Sequence, residues 1–557
     1  MNAVGFIKYN AAIKAAVIVG IMTFLVYIPA LFGDFVNFDD PQFIYYNPAI
    51  RVFDLQFIKE ALTTSFMGWW MPLIWISLAI DYHFWGLNPF GYHLTNNLLH
   101  AVNTGLVVII ADILYKRILA KKVIEENVRL YFLLLVSAGL LFGIHPVHVE
   151  SVAWAIERKN VLSTVFSLAA LICYLRYAAA QDRHSNRKIF STDYILSIVF
   201  LMFSLMAKPV GVVLPVLMLI ADFYPFRRIN RGTNLQVILE KLPHALLALL
   251  TAVATVMFAA GEKALVPLSV FSLTDRFILS GYAVFEYCRL MIAPFGIVVL
   301  NLFPAPLPLT YVIKALLVAA FSIISLLMAK QRPWMAATWL CFFISLLPSL
   351  HFFINGANRY SLHFLYLPAI IPSIAVAAAA FRLYTENSFF RRRSVALIIV
   401  GTLTAFFCFY IGMTQIEIRS WKDSEALWSR VIKHQPVGRA FYYRADHYMN
   451  KGDFNAAAVD YQESIRMGYE AGHPEIYTLH AFRGEALRRA GRYEEAVHEF
   501  SAAINISPLP NFYYYRSLAL RNLGNIPEAD DDLKRSGGDN GPIVWQFLQN
   551  RDDLKPK

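Results

Sequence analysis

Gly33-Asp34-Phe35-Val36-Asn37-Phe38-Asp39-Asp40-Pro41 follows directly on an apolar run that starts behind Lys8 and Lys14. That run is roughly 20 residues long, enough to cross a bilayer. Phe32-Gly33-Asp34 offers no small-residue cleavage pattern, so the run reads as a retained anchor with two carboxylates at its exit. Acidic side chains at such a place cost free energy unless they meet a cation, a proton or a substrate. Asp39 and Asp40 are therefore the candidate chemical centre. One Asp alone would serve to start a turn before Pro41. With two, one can hold an acceptor or a cation while its neighbour takes a proton.

Working outward, the rest of the chain resembles this anchor in composition. Hydrophobic residues make up 57% and charged residues 16%, with mean hydropathy +0.47. That balance excludes a soluble multidomain protein and indicates an all-α, polytopic membrane protein. The net charge of +11 comes from Lys and Arg clustered between apolar segments, a pattern of topology determinants, so no nucleic-acid partner is expected. Cys173, Cys288, Cys341 and Cys408 lie in apolar runs without CxxC pairing and read as small core residues.

Segments of spanning length occur near 14–33, 92–115, 130–147, 160–179, 191–207, 209–225, 238–260, 311–329, 334–353, 364–382 and 394–413, predicting about 11 crossings. Lys116-Arg117 with Lys121-Lys122, Arg183 to Lys188, Arg227-Arg228 with Arg231, Lys330 with Arg332, and Arg391-Arg392-Arg393 would all be cytoplasmic by the positive-inside rule. The N-terminus is then cytoplasmic. The loops carrying Asp39-Asp40, His145 to Glu150, Lys208 and Arg359 fall together on the opposite face. The apolar stretch 276–300 would reverse the later topology if it crossed, so it is expected to be a broken, re-entrant or interfacial helix. In the first outer loop, 34–91, two stretches (Asp54 to Thr64 and the aromatic Met67 to Trp85) are predicted as helices lying on the membrane among its lipids.

After Thr414 the composition turns charged and helical, dividing the chain into a transmembrane domain, 1–414, and an extracytoplasmic domain, 415–557. Gly452-Asp453-Phe454 with Ala457 and Tyr461, Gly491-Arg492-Tyr493 with Ala496, Phe500, Ala503 and Pro508, and Gly524-Asn525-Ile526 with Ala529 are three registers of one pattern. Their glycines are 39 and then 33 residues apart, close to the 34-residue tetratricopeptide period if Ala471 to Glu475 is an insertion. About three repeats are expected, preceded by a partial one at Trp421 to Pro436. Such repeats stack into an α-solenoid with a concave groove suited to a peptide.

Three further constellations share the outer face with the Asp pair. In the first, His145-Pro146-Val147-His148-Val149-Glu150 runs into Ser151 to Asn160. If 150–160 is helical, Glu150, Trp154, Glu157 and Arg158 lie on one face. Two His and a Glu could bind zinc, but the spacing matches no helical metalloprotease motif and Pro146 breaks the geometry. No metal is expected, a divalent ion being the lesser alternative. Arg158 and Lys159 suit a phosphate better. The second constellation is Lys208 between two spans, either a phosphate ligand or a snorkelling end. The third is Asn358-Arg359-Tyr360-Ser361, whose Arg359 can clamp a phosphate. Within the second span, His93, Asn96, Asn97 and His100 form a polar stripe that reads as the wall of a polar cavity, with interhelical glue as the alternative.

Taken together, Asn37-Phe38-Asp39-Asp40-Pro41, the His93 to His100 stripe, the His145 to Ala153 block, Ala207-Lys208-Pro209-Val210-Gly211, Arg359-Tyr360 with Leu365-Tyr366-Leu367-Pro368, and Trp421-Lys422-Asp423 before the repeats occur in one order. In this the chain resembles the transmembrane and tetratricopeptide-repeat-containing O-mannosyltransferases and their bacterial relatives, within the multi-span GT-C glycosyltransferases. Three departures are Pro209 where the family more often has an acidic residue, Ser361-Leu362-His363-Phe364 separating Arg359-Tyr360 from Leu365-Tyr366, and fewer repeats than in animal members. The resemblance implies inverting transfer of mannose or another hexose from a polyprenyl-phosphate-linked donor, without a cofactor, in a bacterial cytoplasmic membrane. Asp40 would be the base towards a Ser or Thr hydroxyl, Asp39 would orient it, and Arg359, Arg158, Lys159 and Lys208 would hold the leaving phosphate. His93, Asn96, Asn97, His100, His145, His148, Glu150 and Trp154 would line the cavity, and the repeats would present a protein acceptor. Two rivals are a transferase acting on a lipid or cell-surface glycan, and a membrane scaffold or transporter that recruits partners through its repeats.

Overall fold

The computed structural model describes all residues except 1–2, 66–68, 182–190, 230–233, 262–270, 303, 305, 351–359, 391, 469–474 and 538–557. Among the described residues the regular elements are all helical. Two compact units form: Met1–Phe35 with Asp39–Lys422, and Val36–Phe38 with Asp423–Lys557. The boundary expected at 415 falls inside the continuous helix Arg393–Ser420, because the apolar turns of that helix run on into polar ones without a helix-breaking residue.

The first unit is a multi-pass membrane domain. Pro89–Ile118, Ala155–Gln181, Leu309–Leu327 and Leu397–Ser420 are long and apolar enough to cross a bilayer, and Val128–Gly143 with Pro146–Ala153 adds a fifth span bent by 47°. Five shorter apolar helices accompany them: Ala11–Val26, Thr192–Ala207, Pro209–Phe223, Leu242–Phe258 and Pro333–Ser349. The expected segment at 364–382 becomes the helix Ile370–Glu386, which belongs to neither set.

Ala3–Val26, Pro89–Ile118 and Val128–Gly143 pack on one another, and Arg158–Gln181 packs against both Pro89–Ile118 and Thr192–Ala207. Small residues permit the first of these contacts. A Cβ on Gly139 would come within 2.6 Å of Val108, and one on Gly143 would run into Thr23 and Thr104. Where apolar burial between helices is no driving force, such close approach supplies the packing energy.

Three places bear on the expected topology. The stretch 276–300, expected as a broken, re-entrant or interfacial helix, holds the helix Leu273–Ile292, opened by a Ser272–Asp275 capping box, and is non-helical after it. It accommodates its charges by pairing: Glu286 sits between Arg289 and Lys314, each 2.6 Å away. The helix Pro72–Trp85 does more than lie on the membrane, since Ile74, Trp75, Leu78, Ala79 and Asp81 are buried in the unit. Arg228 lies in the loop after Leu214–Phe223 but does not face solvent. It is buried between Asp222 (2.9 Å) and Glu240 (2.7 Å), with Lys241 2.6 Å from Asp222.

In the second unit, Ser424–His434 precedes three helix pairs: Gly438–Lys451 with Phe454–Met467, Ile476–Arg489 with Tyr493–Ile506, and Pro510–Asn522 with Ile526–Arg535. Gly452, Gly491 and Gly524 follow the first helix of each pair with φ of 82°, 80° and 81°. Only glycine takes that left-handed turn without penalty, which is why these three mark the register. Ala457, Ala496 and Ala529 are fully buried where paired helices meet. A bidentate ion pair joins the two helices of the first pair, Arg444 to Asp460, and of the third, Arg516 to Asp532. Each arginine also donates to a serine of the preceding helix, Ser429 or Ser501.

Candidate active site

The segment 145–160 is not the single helix expected after Glu150. It forms three short turns, Pro146–His148, Val149–Ala153 and Ala155–Glu157, before the long helix Arg158–Gln181 begins. The break comes at Trp154, whose backbone is extended at φ −85° and ψ 119°. A break buried at this depth strands backbone groups that must find partners. Asn96 supplies them: its Nδ2 faces the carbonyls of Val152, Trp154 and Ala155 at 3.3, 3.1 and 3.2 Å. The freed N–H of Ile156 donates to Asp40 Oδ1 at 3.1 Å. The outer-loop carboxylate thus closes a gap in the distant motif.

Asp40 is 1% exposed, while Asp39 is half-buried. Asp40 opens a wide turn, Pro41–Tyr45, in which Tyr46 N bonds Pro41 O at 2.9 Å. Asn47 ties off the end of that turn by donating from Nδ2 to Phe43 O at 3.3 Å, and caps the next turn, Pro48–Arg51, by accepting from Ala49 N at 3.0 Å. Beyond Ile156 comes a group of charges. Glu157 is fully buried and pairs with Lys159 at 2.8 Å and Lys208 at 3.6 Å. Lys208 Nζ also donates to Asn160 Oδ1 at 2.7 Å, and Asn160 Nδ2 donates back to Glu157. The anions acting on Lys159 are Glu157, Asp39 and Asp40. Aromatic rings frame both amines: Phe43 and Trp154 lie 5.8 Å from Lys159, and Phe364 lies 5.4 Å from Lys208. Trp154 in turn stacks on Trp421 at 5.4 Å.

Burial lowers Lys208 to about 8, Glu157 opposing it. An unburied lysine titrates near 10.4. The group is therefore a cation below about pH 8 and a neutral amine above it. Glu157 and Asn160 were not among the candidate site residues. The signal lies in the run Glu157-Arg158-Lys159-Asn160, where a helical reading groups Glu157 with Arg158 and not with Lys159 and Asn160.

Other candidates are placed elsewhere. Arg158 is fully buried and its donors are committed: to Asp81 at 2.5 Å, Asn96 Oδ1 at 3.0 Å, Tyr92 O at 2.8 Å and Ser77 at 3.3 Å. It braces the motif and presents no free edge to a phosphate. In the stripe of Pro89–Ile118, Asn96, Asn97 and His100 each spend polar groups on neighbouring segments. Asn97 donates to Phe24 O at 3.2 Å, and His100 bonds Tyr366 at 2.6 Å and Gly143 O at 2.8 Å. His93 is buried beside Gly33. The bonds of Asn97 and His100 join neighbouring helices, as interhelical hydrogen bonds do.

His145, His148 and Glu150 do not converge on one point. His145 bonds Met291 O at 3.0 Å, His148 packs between Phe142 and Tyr366, and Glu150 accepts from His363 Nδ1 at 2.6 Å. Arg359 lies outside the described residues. Elsewhere in this unit an apolar cavity of about 440 Å³ is lined by Ile110, Leu168, Leu217, Leu367 and Ile374, with Arg382 among its few charged residues.

Comparison with known proteins adds to this. A tetratricopeptide-repeat family model matches residues 442–511. The protein O-mannosyl-transferase Tmtc2 of Drosophila melanogaster is 32% identical over 176 residues, 30% of this chain and 17% of that protein. Human protein O-mannosyl-transferase TMTC2 is 31% identical over 163 residues, 28% of this chain and 18% of its own. For human protein O-mannosyl-transferase TMTC4 the figures are 26% over 240 residues, 41% and 31%. Over these aligned stretches the chain is similar to protein O-mannosyl-transferases, and separately it carries a tetratricopeptide-repeat match. It spans 17–31% of the length of these three O-mannosyltransferases.

Proposed function

We propose that this chain is an inverting glycosyltransferase of a bacterial cytoplasmic membrane, with its N-terminus inside and its repeats outside. It moves mannose from a polyprenyl-phosphate-linked donor to Ser or Thr hydroxyls of extracytoplasmic proteins held by the repeat groove. The observation that carries this reading is the charge group of Asp39, Asp40, Glu157, Lys159 and Lys208 gathered by one broken motif. The acceptor oxygen attacks C1 of the sugar, its proton passes to Asp40, and the bond from C1 to the phosphate oxygen breaks. Asp39 orients the hydroxyl. Lys159 and Lys208 hold the departing polyprenyl phosphate, which stabilises the charge that develops there. A single displacement inverts the sugar. The similarity to named protein O-mannosyl-transferases favours mannose and a protein hydroxyl.

The direct test reconstitutes the full chain with polyprenyl-phosphate-linked mannose and a Ser/Thr peptide. Mass spectrometry should find mannosylated peptide, and NMR of the product should show inverted anomeric configuration. Transfer only to a lipid or glycan acceptor would sink the protein-acceptor reading, and no transfer from any lipid-linked sugar would sink the enzyme reading.

The titration of Lys208 gives a pH dependence. As pH rises through about 8 the amine loses its charge and its hold on phosphate. kcat/KM for the donor, which reports the free enzyme, should fall to about a tenth of its plateau by pH 9. A Lys208→Met variant should be slower and lack that limb. A profile unchanged by the substitution would remove Lys208 from the donor site.

A further inference from the structure

The residues just before the Asp pair belong to the repeat unit. Val36–Phe38 cluster with Asp423–Lys557, and the chain re-enters the membrane unit at Asp39. Within the repeat unit these three residues are bound as a peptide ligand would be. The Asn37 backbone N–H donates to Ser424 Oγ at 2.9 Å. Its side-chain amide donates to Tyr443 O at 2.6 Å and to Asp446 Oδ2 at 3.0 Å, and its Oδ1 accepts from Trp428 Nε1 at 2.8 Å. Phe38 stands edge-on to Trp428 and Tyr443, at 5.5 and 5.8 Å, beneath the guanidinium of Arg439 at 5.9 Å. Val36, Asn37 and Trp428 are all buried.

We propose that the helices Ser424–His434 and Gly438–Lys451 are a built-in station for the chain's own Val36–Phe38, and that Asn37 is thereby a positioning residue for Asp39 and Asp40. This rests on the role proposed for the Asp pair. Consecutive Cα atoms are about 3.8 Å apart, so Asp39 cannot lie more than about 7.6 Å from Asn37. A carboxylate tethered that closely inherits the order of its anchor. Near-attack geometry is sensitive enough for this to matter, since a shift of about 1 Å can cost roughly 100-fold. A second consequence concerns the acceptor. The first station is filled by the chain itself, leaving the pairs built on Ile476–Arg489 and Pro510–Asn522 to hold a protein substrate.

The test compares Asn37→Ala, Trp428→Phe and Asp40→Asn in the full chain, reconstituted with the lipid-linked donor and a peptide. Asn37→Ala should lower kcat by about 10- to 100-fold with the donor KM unchanged. Trp428→Phe keeps the ring and loses only the Nε1–H donor, so it should shift kcat in the same direction by less. A Phe38→Cys reporter should label faster with a thiol reagent when Asn37→Ala is added, which registers release of the anchor apart from turnover. Wild-type kcat in both anchor variants beside an inactive Asp40→Asn overturns the positioning claim alone. Wild-type turnover in Asp40→Asn overturns the assignment of the base and the positioning claim with it.

Discussion

Asp40→Asn should lower sugar transfer by about 100- to 10,000-fold, the range set by removal of a general base. The amide is isosteric and can still accept from the Ile156 N–H through its Oδ1. The turn at Pro41 and the break at Trp154 should therefore survive, and the variant should extract and elute as wild type does. What it cannot do is take the acceptor proton. Asp39→Asn should have a smaller effect, weighted towards the acceptor KM, because a half-buried orienting group acts in binding as well as in turnover. Steady-state kinetics on reconstituted protein, with donor and peptide varied separately, check both. If Asp39→Asn alone abolishes turnover while Asp40→Asn keeps it, the two roles are exchanged. If both retain full activity, the Asp pair is not the chemical centre.

How far the sequence could be read depended on whether the deciding interaction was local. The repeat register was legible because a left-handed glycine, a buried alanine and a buried aromatic recur in the same local places, as at Gly491, Ala496 and Phe500. The apolar helices were legible for the same reason, since length and hydropathy are properties of a window. Pairing over long separations was not. Nothing near Arg158 shows that its charge is spent on Asp81, and nothing near Asn37 shows that its partners are Trp428, Tyr443 and Asp446. The polar stripe was ambiguous by the same logic, because glue and cavity wall have one sequence signature and differ only in what faces them. The break at Trp154 escaped a periodicity reading because Asn96, not a proline or glycine, makes it tolerable.

Asp81→Ala should be the most destabilising single substitution at the site, at about 3–5 kcal/mol, the usual effect of removing one partner of a buried ion pair. Arg158 would keep its bonds to Asn96 and Tyr92 but carry an uncompensated charge where it has no exposure. Against a total stability on the order of 5–15 kcal/mol, that is enough to deplete folded protein. A lower thermal midpoint in detergent and a reduced monodisperse yield would register it. The double variant Asp81→Leu with Arg158→Met removes both charges and keeps apolar volume, so it should recover most of the loss. It also separates two roles for Arg158. As a brace its replacement leaves Asn96 free to serve the carbonyls at the break, so the recovered double variant should transfer sugar at a measurable rate with the donor KM close to wild type. A double variant that is stable yet has lost donor affinity would instead place Arg158 on the phosphate, the role its position in the sequence first suggested.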